Sequence, residues 1–189
     1  MRRSKAWYDE FITPDNLKKY YQDSYANRNI ALYKLVEPML PGQANVLDIA
    51  SGCSFNAKQF LADERVKKYT MNDFADIVRD DACTRIKDER FSVCERDAEQ
   101  LGFNFREHNV VICVSLEHIE NDLQLVERCE PGTLMVLGSP NGDARAHVRF
   151  FLNISGFIRR YEDLVDIKGS TTSGSGRGRE KYVICGYRR

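Results

Sequence analysis

The sequence lacks several features that would point to particular classes of protein. Its 28 basic and 28 acidic side chains leave no formal net charge, so no whole-molecule field favours nucleic acid or an anionic membrane. It contains no run of about 18 apolar residues, which argues against a membrane-spanning helix. The first ten residues acquire acids before any apolar stretch can form, unlike a secretory signal. We therefore expect a soluble, cytoplasmic protein.

The six cysteines also lack the paired spacing that structural zinc sites use. Three of them lie within apolar, strand-like runs, where a free thiol behaves as a small hydrophobic group. This usage indicates reduced cysteines in a reducing compartment. At 189 residues the chain is too short for two ordinary domains, so we expect one folding unit.

Short apolar runs alternate with longer amphipathic segments through the middle of the chain. The runs predict strands at Asn45–Ala50, Tyr69–Asn72, Phe91–Cys94, Asn109–Ser115 and Thr133–Gly138. The intervening segments predict helices at Asn56–Glu64, Asp76–Lys87 and Ile119–Cys129. This alternation indicates an α/β fold with a parallel sheet. The first, fourth and fifth runs are apolar at consecutive positions, which is typical of strands covered on both faces.

The two ends of the sequence depart from this pattern. Residues 1–42 predict a helical lid segment of two helices, which break near Asn27-Arg28-Asn29 and end at Pro41-Gly42. Lid or core packing is preferred to base stacking for the aromatic side chains of this segment: Trp7, Tyr8, Phe11, Tyr20, Tyr21 and Tyr25. Asp163–Gly169 and Lys181–Tyr187 predict a terminal antiparallel hairpin around a mobile, glycine- and serine-rich loop at 169–179.

An acid and a turn of small residues occur at the end of the first predicted strand, in Val46-Leu47-Asp48-Ile49-Ala50-Ser51-Gly52-Cys53-Ser54. Open α/β sheets bind ligands beyond the carboxyl ends of their strands, where small residues let the backbone approach. The stretch resembles the first motif of the class I S-adenosyl-L-methionine (AdoMet)-dependent methyltransferases, a strand followed by D-x-G-x-G, although Ala50 replaces the first glycine. The resemblance implies AdoMet as cofactor, bound by Asp48, Ala50, Ser51 and Gly52. It also implies a Rossmann-like domain over residues 43–189, with a seven-stranded, mostly parallel sheet and helices on both faces.

Two later segments continue the resemblance. Asp73 follows the second strand, 25 residues after Asp48, and its acceptor-only carboxylate suits a ribose diol; a helix cap is the alternative. Phe74 would pack against the adenine or, equally, in the core. After the third strand, the family places an acid and a backbone amide against the adenine, which implies these roles for Asp97 and Ala98.

The segment after the fourth strand resembles the methyl-facing segment of the family. Ser115 and Leu116 are implied cofactor contacts, and Glu117 and His118 are the catalytic candidates. His118 is a candidate general base because the unperturbed pKa of histidine is near neutrality, although both residues could simply cap a helix. Three residues after the fifth strand are the candidates for binding the acceptor: Asn141, His147 and Arg149. His147 and Arg149 would favour an acceptor with an acidic or phosphate group. Solvated charges beside a core pair are the alternative there.

Glu117, His118 and His147 also resemble part of the metal-binding set of the small-RNA 3′-end 2′-O-methyltransferases. The first glutamate of that set would stand at Val114. Because the ligand set is incomplete, we expect no metal.

Together these motifs imply an AdoMet-dependent methyltransferase. The chain has almost no insertion for recognising a large acceptor, which favours a small-molecule or carrier-attached acceptor. RNA or protein acceptors are the alternative, and a basic rim for RNA would come from Arg177, Arg179, Arg188 and Arg189. A non-catalytic AdoMet- or nucleotide-binding subunit is a further alternative. A nicotinamide oxidoreductase is disfavoured because the G-x-G-x-x-G turn is absent.

Overall fold

The computed structural model describes residues 6, 7, 10, 12, 13, 15, 17, 23–100, 102–141, 147–174 and 180–189. Within these residues seven strands form one sheet: β1 Ala44–Ile49, β2 Val66–Asn72, β3 Phe91–Cys94, β4 Val110–Cys113, β5 Leu134–Pro140, β6 Val165–Gly174 and β7 Glu180–Arg188. Their order in the sheet is β3-β2-β1-β4-β5-β7-β6. The first five strands pair in parallel, and β7 runs antiparallel to both β5 and β6. The predicted mostly parallel sheet and its terminal hairpin are confirmed.

The described helices are α1 Asp23–Val36, α2 Ala57–Leu61, α3 Asp76–Arg85, α4 Asp122–Glu127 and α5 Ile154–Tyr161. Two 3-10 turns occur at Glu37–Met39 and Leu116–His118. No helix in the described part of the chain is long and apolar enough to cross a membrane. All six cysteines are free thiols.

Helices cover both faces of the sheet, as expected. On one face Phe157 and Tyr161 of α5 pack with β4 and β5, and on the other Leu32 and Val36 of α1 pack with Phe60 of α2 and β1. Every residue of β4 and β5 is buried, and β1 is buried at all but one position. The consecutive apolar runs therefore form the two-sided core that holds the loops at the strand ends in place.

Two predictions about the ends of the chain are wrong. The break near residues 27–29 does not occur, because α1 runs continuously through it. Asn29 is buried there, and packing of a helix against the core outweighs the weak helix propensity of asparagine. The predicted loop begins too early, because residues 169–174 belong to β6 and pair with β7. Residues 175–179 lie outside the described residues.

The predicted lid is described only in part. Leu17 is buried in a small cluster with Cys53, Ala75 and Val78, and Ile12 packs against that cluster. This contact brings the N-terminal segment to the carboxyl-end loops of β1 and β2. Tyr8, Phe11, Tyr20 and Tyr21 and the side chain of Tyr25 lie outside the described residues, so the lid stays a prediction.

Candidate functional site

The strand order reverses beside β1, because the chain runs outward through β2 and β3 and then returns to place β4 on the other side of β1. At such a reversal the loops leaving neighbouring strands separate and form a crevice at the carboxyl edge of the sheet. The loops that follow β1, β2, β4 and β5 all emerge at this edge, since these four strands are parallel. The loops after these strands carry all but three of the predicted site residues: Asp48 lies near the end of β1 itself, and Asp97 and Ala98 follow β3.

The loop after β1 has an unusual backbone. Ala50, Gly52 and Ser54 have φ angles of +50°, +55° and +52°, so three residues within five lie in the left-handed region. The amide of Ser51 donates to Asn72 O at 3.2 Å, and the amide of Gly52 donates to Asp73 Oδ2 at 3.0 Å. A Cβ added at Gly52 would have no atom within 4 Å. The loop is therefore fixed to the end of β2 while the space beside its glycine stays open.

Ala50 carries strain that glycine would relieve. A left-handed conformation costs an L-residue about 1–2 kcal/mol, and glycine would avoid this cost. Glycine also gives the unfolded chain more conformational entropy, which offsets part of the resulting gain in stability. We expect Ala50→Gly to raise the free energy of unfolding by about 1 kcal/mol, as measured by urea denaturation.

The matched control is Ala62→Gly, at an exposed position with a φ of −73°. Here the same substitution should lower stability by about 0.5 kcal/mol. A loss of stability in Ala50→Gly equal to that in the control would contradict the strain at position 50.

Asp48 lies inside β1 and is completely buried. Its Oδ2 accepts hydrogen bonds from Tyr69 Oη at 2.5 Å and Asn56 Nδ2 at 3.3 Å. Its Oδ1 has no hydrogen-bond partner. Burial raises the pKa of Asp48 to about 7, although the two hydrogen bonds act in the opposite direction. These hydrogen bonds fix the Asp48 carboxyl group at the base of the loop after β1, and its Oδ1 atom can still accept a hydrogen bond.

The raised pKa of Asp48 gives folding stability a pH dependence of definite sign. The folded state holds the proton more tightly than the unfolded chain, so the stability that this proton contributes is lost as pH rises from about 4 to about 7. Between about pH 5 and pH 7 the wild type should lose about 2 kcal/mol relative to Asp48→Asn, which does not titrate. Urea denaturation of both proteins across this range measures the difference, and parallel stability curves would contradict the raised pKa.

Asp73 follows β2 directly and lies beside the loop after β1. Its Oδ2 accepts from the Gly52 amide, and its Oδ1 accepts from the Ala75 amide at 3.0 Å. Burial raises the pKa of Asp73 to about 6, against the effect of these backbone hydrogen bonds. Each carboxylate oxygen has a second lone pair, so both can accept a further hydrogen bond from a ligand. The bond to Ala75 fixes the turn that leads into α3, whose N-cap residue Ala75 has no side-chain capping hydrogen bond, so the alternative helix-capping role of Asp73 is not supported.

The segment after β3 lies next to this site. The side chain of Asn72 donates to Cys94 O at 2.9 Å and to Arg96 O at 2.6 Å, which ties the ends of β2 and β3 together. Asp97 Oδ1 accepts from the Glu99 amide at 3.0 Å, and Ala98 is buried. Phe74 is partly exposed. The structure thus brings the predicted ribose and adenine residues to adjacent strand ends.

The segment after β4 meets the segment after β5. Leu116 and Glu117 are buried in a 3-10 turn, and His118 is partly exposed at its end. The His118 and His147 rings meet edge to face with centroids 5.4 Å apart. The amide of Val148 donates to Glu117 O at 2.8 Å, which fixes one segment to the other. Glu117, His118 and His147 therefore form a single cluster, although His147 comes 29 positions after His118 in the sequence.

Lys181 is a residue of this cluster that the sequence did not reveal. It lies on β7 opposite Pro140, is 5% exposed, and places Nζ 3.8 Å from Glu117 Oε1. Burial lowers the pKa of Lys181, and the nearby Glu117 carboxylate partly opposes this shift. A lysine near the start of a strand usually lies in solvent, so no sequence signal marked it.

The other two predicted acceptor-binding residues have partners within the protein. Asn141 Oδ1 accepts from the Glu180 amide at 3.0 Å, which extends the pairing of β5 with β7. Arg149 forms an ion pair with the buried Asp122 and donates to Glu120 O at 2.8 Å. The carbonyl of Ser115 accepts from the His118 amide at 3.0 Å, and the Ser115 side chain makes no capping hydrogen bond to the 3-10 turn. Acceptor binding by Asn141 and Arg149 stays a prediction.

Comparison with solved structures finds methyltransferases over nearly the whole chain. NodS, an N-methyltransferase from Bradyrhizobium japonicum WM9 in complex with S-adenosyl-L-homocysteine, has a TM-score of 0.74 at 17% identity, covering 98% of this chain and 99% of the other. Magnesium protoporphyrin IX methyltransferase (ChlM) from Synechocystis PCC 6803 with bound S-adenosyl-L-homocysteine has a TM-score of 0.70 at 13% identity, with coverage of 98% and 99%.

The sequence comparisons add nothing to this structural likeness. No protein-family model matches the chain, and no curated protein matches it. At such low identity the solved structures establish the fold. The chain has the Rossmann-like fold of the class I AdoMet-dependent methyltransferases, as its sequence motifs implied.

Proposed function

We propose that this protein is an AdoMet-dependent methyltransferase. One observation carries the proposal: at the strand-order reversal, the left-handed loop with open space beside Gly52 is hydrogen-bonded to Asp73. Solved structures of the same fold were determined with S-adenosyl-L-homocysteine or AdoMet, over 98% of this chain's length. The loop leaves space for a ligand, and the two carboxylate oxygens of Asp73 can each accept a further hydrogen bond from a diol.

The residues at the carboxyl edge fit AdoMet. Asp73 would accept hydrogen bonds from the two ribose hydroxyls, and Asp97 and the Ala98 amide would bind the adenine, with Phe74 beside it. Ala50, Ser51 and Gly52 would line the amino-acid part of the cofactor, supported from below by Asp48. Ser115 and Leu116 would lie against the sulfur end.

Catalysis in this proposal depends on positioning. AdoMet supplies an electrophilic methyl group on a sulfonium, and an acceptor atom held in line with it needs little further activation. Leu116 is buried in the core and anchors the 3-10 turn that carries Glu117 and His118. His118 would take the proton of the acceptor on its ring nitrogen, and the buried carboxylate of Glu117 would steady the resulting charge.

The acceptor we propose is a small molecule or a carrier-attached group. The described residues form a single sheet with its flanking helices and no separate recognition domain. His147 would contact the acceptor because its ring lies against His118. An RNA or protein acceptor is the second candidate. In either case, the N-terminal segment that packs on Cys53 would close over the site.

Two measurements test the proposal. Isothermal titration calorimetry with S-adenosyl-L-homocysteine tests the cofactor site, and release of S-adenosyl-L-homocysteine from AdoMet in the presence of fractionated cell metabolites or RNA tests transfer. We expect saturable binding together with turnover in the metabolite fraction. Binding without turnover in any fraction would favour the non-catalytic subunit, and absence of binding would overturn the proposal.

A further inference from the structure

We propose that Glu117, His118 and His147 bind a divalent transition-metal cation. Their carboxylate oxygens and imidazole nitrogens lie within 4.8 Å of one another. Two imidazoles and one carboxylate form the ligand set of many catalytic zinc sites, which leave a fourth position open. This proposal reverses the sequence-based expectation of no metal, because three ligands suffice for such a site and the glutamate replaced by Val114 is not required.

The geometry needs only a small adjustment to hold an ion. Zinc bonds to nitrogen and oxygen of about 2 Å place neighbouring tetrahedral ligand atoms roughly 3–3.5 Å apart. The Glu117 Oε1 to His118 Nε2 distance is 3.9 Å. Both histidines are partly exposed, so rotation of their side chains can close the remaining gap.

A second observation points to a missing ligand at this cluster. Glu117 is 6% exposed, yet its Oε2 has no hydrogen-bond partner. A buried carboxylate oxygen without a partner is costly, and a cation bound there would remove that cost. The backbone of the cluster is held independently, because the Val148 amide donates to Glu117 O and Arg149 pairs with Asp122. The ligands are therefore presented by a fixed frame.

Lys181 supplies the positive charge that faces Glu117 in the structure, at 3.8 Å from Oε1. A bound cation would be repelled by the lysine ammonium, so metal binding requires this side chain to move away from Glu117. Removing the amine should consequently strengthen metal binding. This expectation distinguishes a metal site from a purely structural arrangement, in which Lys181 is simply the partner of Glu117.

The fourth position of the metal would face the carboxyl edge of the sheet. If the proposed methyl transfer is correct, that position would hold an oxygen atom of the acceptor, which makes a hydroxyl or carboxylate the favoured acceptor class. His118 would then act as a metal ligand in place of a base. Metal binding itself does not depend on the proposed transferase activity.

The experiment titrates the full-length protein with Co²⁺ and Zn²⁺ without AdoMet, by visible absorption and calorimetry. We expect one equivalent of Co²⁺ with d–d bands and without a thiolate charge-transfer band, which would separate the site from the free cysteines. His147→Ala should weaken binding roughly 100-fold or more, since even indirect ligand supports contribute 10–100-fold. Lys181→Met should strengthen it roughly tenfold.

His108→Gln is the matched control, because His108 lies away from the cluster beside Thr70 and is the third histidine of the chain. It should bind metal like the wild type. Unchanged binding in His147→Ala, a thiolate band, or no binding at millimolar Co²⁺ would overturn the site. Binding of S-adenosyl-L-homocysteine, measured on the same sample, reports separately on the proposed function.

Discussion

Replacing Asp73 with alanine should weaken S-adenosyl-L-homocysteine binding by roughly 100-fold. Hydrogen bonds to a charged group contribute about 1.5–3 kcal/mol each, so losing two from the ribose costs about 3 kcal/mol. The variant also frees the Gly52 amide, which Asp73 Oδ2 accepts from in the wild type. The fold should survive, because burial disfavours the ionised carboxyl group and raises its pKa to about 6. Calorimetry gives the affinity, and thermal unfolding confirms the fold.

Asp76→Ala is the matched control for this prediction. Asp76 begins α3 three residues away, and its side chain is 61% exposed and pairs with Arg79. The control should bind S-adenosyl-L-homocysteine within about twofold of the wild type, since exposed ion pairs contribute little. Equal affinities for Asp73→Ala and the wild type would contradict ribose binding by Asp73 and leave it only its hydrogen bonds to Gly52 and Ala75.

The sheet could be predicted from the sequence because its burial is two-sided. Phe91–Cys94 was predicted with its observed bounds, and the runs of β1, β4 and β5 differ from the observed strands only at their ends. Consecutive apolar residues leave few alternatives to a central parallel strand. The end of β6, beyond residue 169, was missed because its residues are small and polar. Pairing with β7 creates that strand, and pairing cannot be seen from local composition.

The candidate site was predictable wherever a motif lies at a strand end. Asp48, Gly52 and Asp73 were identified in this way, and the structure brings them together around one loop. The left-handed backbone of Ala50 could not be foreseen, since alanine usually avoids it. Lys181 was missed because its burial depends on β7 lying antiparallel beside β5. The meeting of His118 with His147 likewise depends on the order of β4 and β5.

A buried ion-pair network holds the segment that carries His147. Asp122, at the start of α4, is 1% exposed and accepts from Arg160 Nε at 2.6 Å, Arg160 Nη2 at 2.8 Å and Tyr161 Oη at 2.5 Å, and it pairs with Arg149. Burial opposes ionisation of Asp122, but the hydrogen bonds and the two arginine charges outweigh it and lower its pKa. The network therefore joins α4, α5 and residue 149, two positions after His147.

Replacing Asp122 with asparagine should lower the free energy of unfolding by about 3 kcal/mol, because it leaves two arginines without their shared buried partner. For a chain of this length the melting temperature should fall by roughly 10 °C. A lowered folded-state pKa means that the stability contributed by Asp122 is present above about pH 4 and is lost as pH falls through the folded-state value. The difference between wild type and variant should accordingly shrink in acid.

Asp163→Asn is the control for Asp122→Asn, because Asp163 is exposed just after α5. Its melting temperature should stay within about 2 °C of the wild type, as expected for a surface substitution. If Asp122→Asn left the melting temperature equally unchanged, the ion-pair network would not be what holds residue 149 in place. Because His147 is held by that network, Asp122→Asn should also weaken Co²⁺ binding, whereas Asp163→Asn should not. Loss of stability with unchanged metal affinity would show that the position of His147 is set by its own contacts with His118 and Glu117.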